Sequence, residues 1–69
     1  PKNTTSMLDL ADKYFAENDI DNAFNLLLNN YFRNKEIVKK KILEFFEALG
    51  NENEKTREYR KKFSSIIFS

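Results

Sequence analysis

Asp19, Asp21 and Asn30 come nearest to a metal site in this chain, because oxygen-bearing side chains spread over a short segment are what a calcium loop supplies. The frame fails at its decisive positions. Ala23 and Phe24 stand where a ligand and a glycine are needed, and Asn30 stands where the closing bidentate Glu belongs. Glu44 and Glu47 lie one helical turn apart, the spacing of a carboxylate pair for acid–base work, but no His accompanies them. Ser64 and Ser65 have no base to take a hydroxyl proton. With no Cys and no His, thiolate and imidazole chemistry and disulfides are excluded. No catalytic group, metal or cofactor is therefore expected, and the chemistry left is non-covalent binding.

The charges suit binding of a particular kind. Residues 1–34 carry three basic and five acidic groups, a net of −2, while residues 35–69 carry nine and six, a net of +3. The basic half owes its sign to Lys39, Lys40 and Lys41 and to Arg57, Arg60, Lys61 and Lys62. Acidic residues interleave with them and the whole chain is only +1, a weak field for gripping a phosphate backbone. Solvated helix faces and acidic protein partners account for these charges better than nucleic acid does.

Composition limits the scaffold that can hold such faces. The chain has 69 residues, within the range of one domain, and we read residues 1–69 as a single unit. Hydrophobic residues at 41%, with seven Phe and three Tyr, provide enough large apolar surface to build a core against 33% charged residues. One Gly and one Pro leave few positions for tight hairpin turns, and Leu, Lys, Glu and Ala favour helices. No apolar run approaches the roughly 18 residues that span a bilayer, and no secretory leader is visible, so a cytoplasmic location is the expectation. The start at Pro1 suggests a domain cut from a longer polypeptide.

Four helices follow from the apolar spacing. Met7, Leu10, Ala11 and Tyr14 mark a first helix over about 5–17, with Ser6 and Asp9 in capping-box spacing and Thr4 or Thr5 as equal alternatives for the N-cap. Asn18-Asp19 interrupts it, and Ile20, Ala23, Phe24, Leu27, Leu28 and Tyr31 mark a second over about 19–32, with Asp19 as N-cap. So short a break forces an antiparallel hairpin. Val38, Ile42, Phe45, Phe46 and Leu49 predict a third helix over about 35–49, with Gly50 at the left-handed position after it. Asn51 and Glu54 predict the start of a fourth, whose stripe is Tyr59, Phe63, Ile66 and Ile67. Leu10, Tyr14, Leu27, Ile42, Phe45, Leu49 and Phe63 are expected to be mostly buried.

The halves repeat. Adding 35 to Met7, Leu10, Ala11 and Tyr14 gives Ile42, Phe45, Phe46 and Leu49; adding 36 to Ala23, Leu27 and Tyr31 gives Tyr59, Phe63 and Ile67. That period belongs to helix-turn-helix repeats, so the expected fold is all-α, four antiparallel helices in two hairpins. Met7, Leu10, Ala11, Tyr14, Ala23 and Leu27 resemble the pattern of a tetratricopeptide repeat. Asn30 departs from the small residue of that pattern, and Lys35 from its proline. Tyr59 replaces the small residue in the second copy, which predicts a wider gap between the third and fourth helices than between the first two.

A longer resemblance rests on Leu10-Ala11, Asn18-Asp19, Asn22-Ala23-Phe24, Leu26-Leu27-Leu28, Lys40-Lys41-Ile42-Leu43-Glu44, Ala48-Leu49-Gly50 and Tyr59-Arg60-Lys61-Lys62-Phe63. Together these are similar to the C-terminal helical domain of bacterial thioredoxin-like co-chaperones of the YbbN type, the chaperedoxins. The resemblance implies a non-catalytic interaction domain behind a thioredoxin-like domain, with unfolded clients, a chaperonin and that thioredoxin-like domain as partners. The angular reading places Arg57, Lys61 and Phe68 on the outward face of the fourth helix, because Phe68 lies about 180° from core-facing Tyr59. This face is the expected protein-binding site. A small helical nucleic-acid binder and a structural or dimerisation module are the rival readings.

Overall fold

The computed structural model describes residues 2–68, with side chains described for residues 5–68. Four α-helices run in order, α1 (Lys2–Ala16), α2 (Ile20–Asn29), α3 (Lys35–Leu49) and α4 (Glu54–Ile67), with a 3-10 turn at Tyr31–Arg33. They form two helical hairpins, and the fold is all-α, as the spacing predicts. Among the described residues no helix is long and apolar enough to cross a membrane.

The turns have identifiable local causes. Asn18 takes a left-handed φ of 63°, which Asn tolerates better than most residues. Its N–H donates to the Phe15 carbonyl at 3.0 Å and that of Asp19 to Tyr14 at 2.8 Å, closing α1 in the Schellman pattern. The second helix ends earlier than its apolar stripe predicts. The Asn30 side-chain amide donates to the Leu26 carbonyl at 2.8 Å, competing with the continued ladder, and the chain tightens into the 3-10 turn. Gly50 ends α3 with φ 91° and ψ 152°, a positive-φ conformation as expected, though outside the left-handed helical well.

Two predicted helix starts are corrected. Ser6 and Asp9 do not cap α1, nor does Thr4 or Thr5, because the helix begins at Lys2 and all of them lie inside it. Asn53, not Asn51, caps α4: its side chain accepts from the Lys55 N–H at 2.8 Å. Asn51 instead accepts from Arg60 Nη2 at 3.2 Å.

Phe24 is the centre of the core and is fully buried. It stacks on Tyr59 with centroids 4.6 Å apart, lies against Phe46 at 5.3 Å and meets the edge of Phe45 at 5.6 Å. Phe15 stacks on Phe45 at 4.1 Å, tying α1 to α3. Tyr31 meets Phe63 edge-on at 5.3 Å, tying the end of the first hairpin to α4. Rings of this size dominate the burial energy of so small a domain. The α1–α2 hairpin packs closely along Ala11 and Ala23, both fully buried, whereas α3 and α4 approach each other over much less of their length. The wider gap that Tyr59 predicts is therefore present, while the Tyr59 ring itself packs on Phe24 of α2.

Of the residues expected in the core, Leu27, Ile42, Phe45 and Phe63 are buried, and Tyr14 and Leu49 are half-buried against the cluster. Leu10 is not; it is 40% exposed. It lies about 160° around α1 from Asp12, which faces α3 through Lys41, so Leu10 sits on the flank turned away from the second hairpin.

Candidate protein-docking face

The two hairpins meet along a polar seam that fixes which side of α4 points outward. Lys55 Nζ lies 2.9 Å from Asp21 Oδ1 and 3.1 Å from Oδ2, and the Tyr59 hydroxyl donates to Oδ1 at 2.5 Å. Both partners come from α4 and the carboxylate from α2. The Tyr59 hydrogen bond, helped by Lys55, holds the Asp21 carboxyl below its ordinary range. Burial, followed by the bond to Asp21, pushes the Tyr59 hydroxyl up. The bond to Asp21 also raises Lys55. A second bridge joins the first helices of the hairpins, with Lys41 Nζ 3.1 Å from Asp12 and 3.2 Å from Glu44. Burial works against the Lys41 ammonium, but these two bonds outweigh it and its pKa is raised.

With the seam on one side of α4, the opposite side carries Arg57, Lys61 and Phe68. They fall within about 40° of one another on the helix and about 160° or more from Tyr59. All three are exposed, Phe68 by 84%. Among the described residues neither Arg57 nor Lys61 has a carboxylate or ring partner. Their neighbours differ: Arg60 covers the Phe46 ring at 5.1 Å, and Lys62 lies 3.5 Å from Glu58 and 4.8 Å from the Tyr59 centroid. An open, shallow depression of about 860 Å³ runs along α4, with Arg57, Lys61 and Ser64 in its lining. Phe68 stands beyond it as the C-cap residue.

The other candidate residues are occupied differently. Asp19 and Asn30 flank α2 at opposite ends and Asp21 lies in its first turn, so the segment is a helix and not a cation-wrapping loop. Asp19 accepts from the Asn22 amide at 2.8 Å, Asp21 belongs to the seam and Asn30 ends α2. Glu44 bonds to Lys41 while Glu47 stays exposed on the same helix, so they form no carboxylate pair. Ser64 is half-buried and Ser65 exposed.

The seam is the feature that spacing alone does not reveal. Its one signal is Tyr59 on a core stripe, since a buried tyrosine needs a partner for its hydroxyl. Exposed apolar side chains at Phe32, Ile37 and Leu43 also lie outside the predicted face, Phe32 under the Lys35 ammonium at 5.5 Å.

Two stacked helical hairpins with an open outer face define a helical-repeat protein of the interaction class. A tetratricopeptide repeat family model matches residues 1–68. The chain belongs to the tetratricopeptide repeat family, whose domains mediate protein–protein interaction and are non-catalytic. No curated protein and no solved structure matches it.

Proposed function

We propose that this chain is the interaction domain of a cytoplasmic thioredoxin-like co-chaperone and that it engages protein partners through the outward face of α4. The observation that carries the docking reading is the coincidence of an 84% exposed Phe68 with two cations, Arg57 and Lys61, on one stripe. A large aromatic flanked by charges is the composition of an interface anchor. The co-chaperone context rests on the sequence resemblance, and unfolded clients, a chaperonin and the thioredoxin-like domain are the partners it implies. Nucleic acid is less well supported, because acidic residues interleave with the cations and the whole chain carries a net charge of only +1.

The test uses Phe68→Ala and Lys61→Glu in the full-length parent. Each is expected to reduce co-purification with the chaperonin or with a denatured client, while Phe68→Ala changes unfolding stability by less than about 0.5 kcal/mol, as at a surface site. Undiminished recovery by both variants would overturn the reading. So would a stability loss above about 1.5 kcal/mol for Phe68→Ala, which is the cost of truncating a core residue.

A further inference from the structure

The α4 face is the open end of a two-hairpin stack, and the junction inside the molecule shows what such an end accepts. There, Asp21 of α2 meets Lys55 of α4 at 2.9 Å. The second helix of each hairpin repeats with the offset that relates Ala23 to Tyr59. Arg57 therefore holds in the second hairpin the place of Asp21 in the first, and Asp19 corresponds to Lys55. The two outer ends thus carry the same ion pair with its polarity reversed. We propose that this chain self-associates head to tail, the α3–α4 end of one copy stacking on the α1–α2 end of the next, with Arg57 of one copy facing Asp19 of the other.

The apolar residues follow the same register. Leu43 corresponds to Leu8, which is partly buried against the core, yet Leu43 is 50% exposed. Leu10 corresponds to Phe45, which Phe15 of the preceding hairpin covers, yet Leu10 is 40% exposed. Leu10 is thus exposed where a neighbouring hairpin shields its counterpart, and Leu43 is exposed where its counterpart packs on the core. Among the described residues Asp19 holds only the Asn22 amide, and Arg57 has no carboxylate. The first half at −2 and the second at +3 attract in this orientation and repel when like ends meet. Because the two surfaces differ, the contact is heterologous and leaves a free end on each copy, so assembly runs on as a filament or closes as a ring. This inference rests on the reading of α4 as a docking face and names its occupant.

Sedimentation equilibrium of the chain over a concentration series at low ionic strength tests it. The average mass is expected to rise with concentration and to fall back with added salt. Arg57→Asp and Asp19→Lys should each weaken association by about tenfold or more, since reversal replaces an attraction with a like-charge contact. Mixing the two variants in equal amounts should restore it, because Asp at one end then meets Lys at the other. Circular dichroism checks that each variant is folded, and Leu43→Glu, at an exposed position, is a second disruptor. A chain that stays monomeric to about 1 mM, above the range of specific contacts, would overturn the proposal. Association that both reversals leave unchanged, or a mixture no better than its components, would do the same. If Phe68→Ala still loses its partner while the chain is monomeric, the docking reading stands and self-stacking fails. Association without partner loss gives the converse.

Discussion

The hydroxyl of Tyr59 donates to Asp21 across the junction of the two hairpins at 2.5 Å, while the ring of the same residue stacks on Phe24 at 4.6 Å. One side chain therefore supplies both the packing and the polar link between α2 and α4. Its ring and its hydroxyl can be separated by mutation.

The link makes stability depend on pH in a defined direction. The folded state holds the Asp21 carboxyl below its ordinary value of 3.8, so the unfolded chain binds more protons in the interval between the two. The contribution is fully present above the unfolded value and is lost as pH falls through the folded one. Tyr59 and Lys55 are raised from 10.0 and 10.5, so their contribution is complete below those values and is lost as pH climbs through the folded ones. Tyr59→Phe should keep the stacking and reduce both limbs, and Asp21→Asn should flatten the acid limb further. Urea midpoints measured from pH 2 to 11 check this, and parallel curves for wild type and both variants would contradict it.

Leu27 and Leu10 form a matched pair. Leu27 is fully buried, so Leu27→Ala is expected to cost about 2–5 kcal/mol in urea unfolding. Leu10→Ala should cost less than about 1 kcal/mol, because much of its side chain is already in water. Equal losses would mean that α1 is rotated relative to the fold described.

Gly50 holds φ 91°, and a Cβ built there meets nothing within 4 Å. Space is not the constraint. Gly50→Ala is expected to destabilise by about 1–3 kcal/mol through backbone strain alone. A neutral result in thermal unfolding would show that the turn rearranges at little cost.

Thr56 is fully buried, and among the described residues its hydroxyl has no partner. Thr56→Val replaces that hydroxyl with a methyl of similar size and should raise stability by about 1 kcal/mol. A loss of similar size would show that the hydroxyl is hydrogen-bonded in solution.

Much of this architecture is local and can be read from the chain. Apolar residues at helical spacing place four helices because each helix buries one stripe whatever it packs against. Asn18 and Gly50 place two of the turns because few residues tolerate positive φ. The repeat offsets then bring the hairpins into one family. The end of α2 is less legible, since Asn30 is equally at home within a stripe and at its close until its amide finds the Leu26 carbonyl. Leu10 and Phe45 occupy equivalent repeat positions, yet one is 40% and the other 4% exposed. Their own sequences cannot distinguish them, because burial there depends on whether another hairpin lies alongside. The seam of Asp21, Lys55 and Tyr59 likewise joins residues more than thirty positions apart. Helical periodicity decides which face of each helix is apolar; only the packing of one hairpin on the other decides which polar groups meet and which apolar residues stay in water.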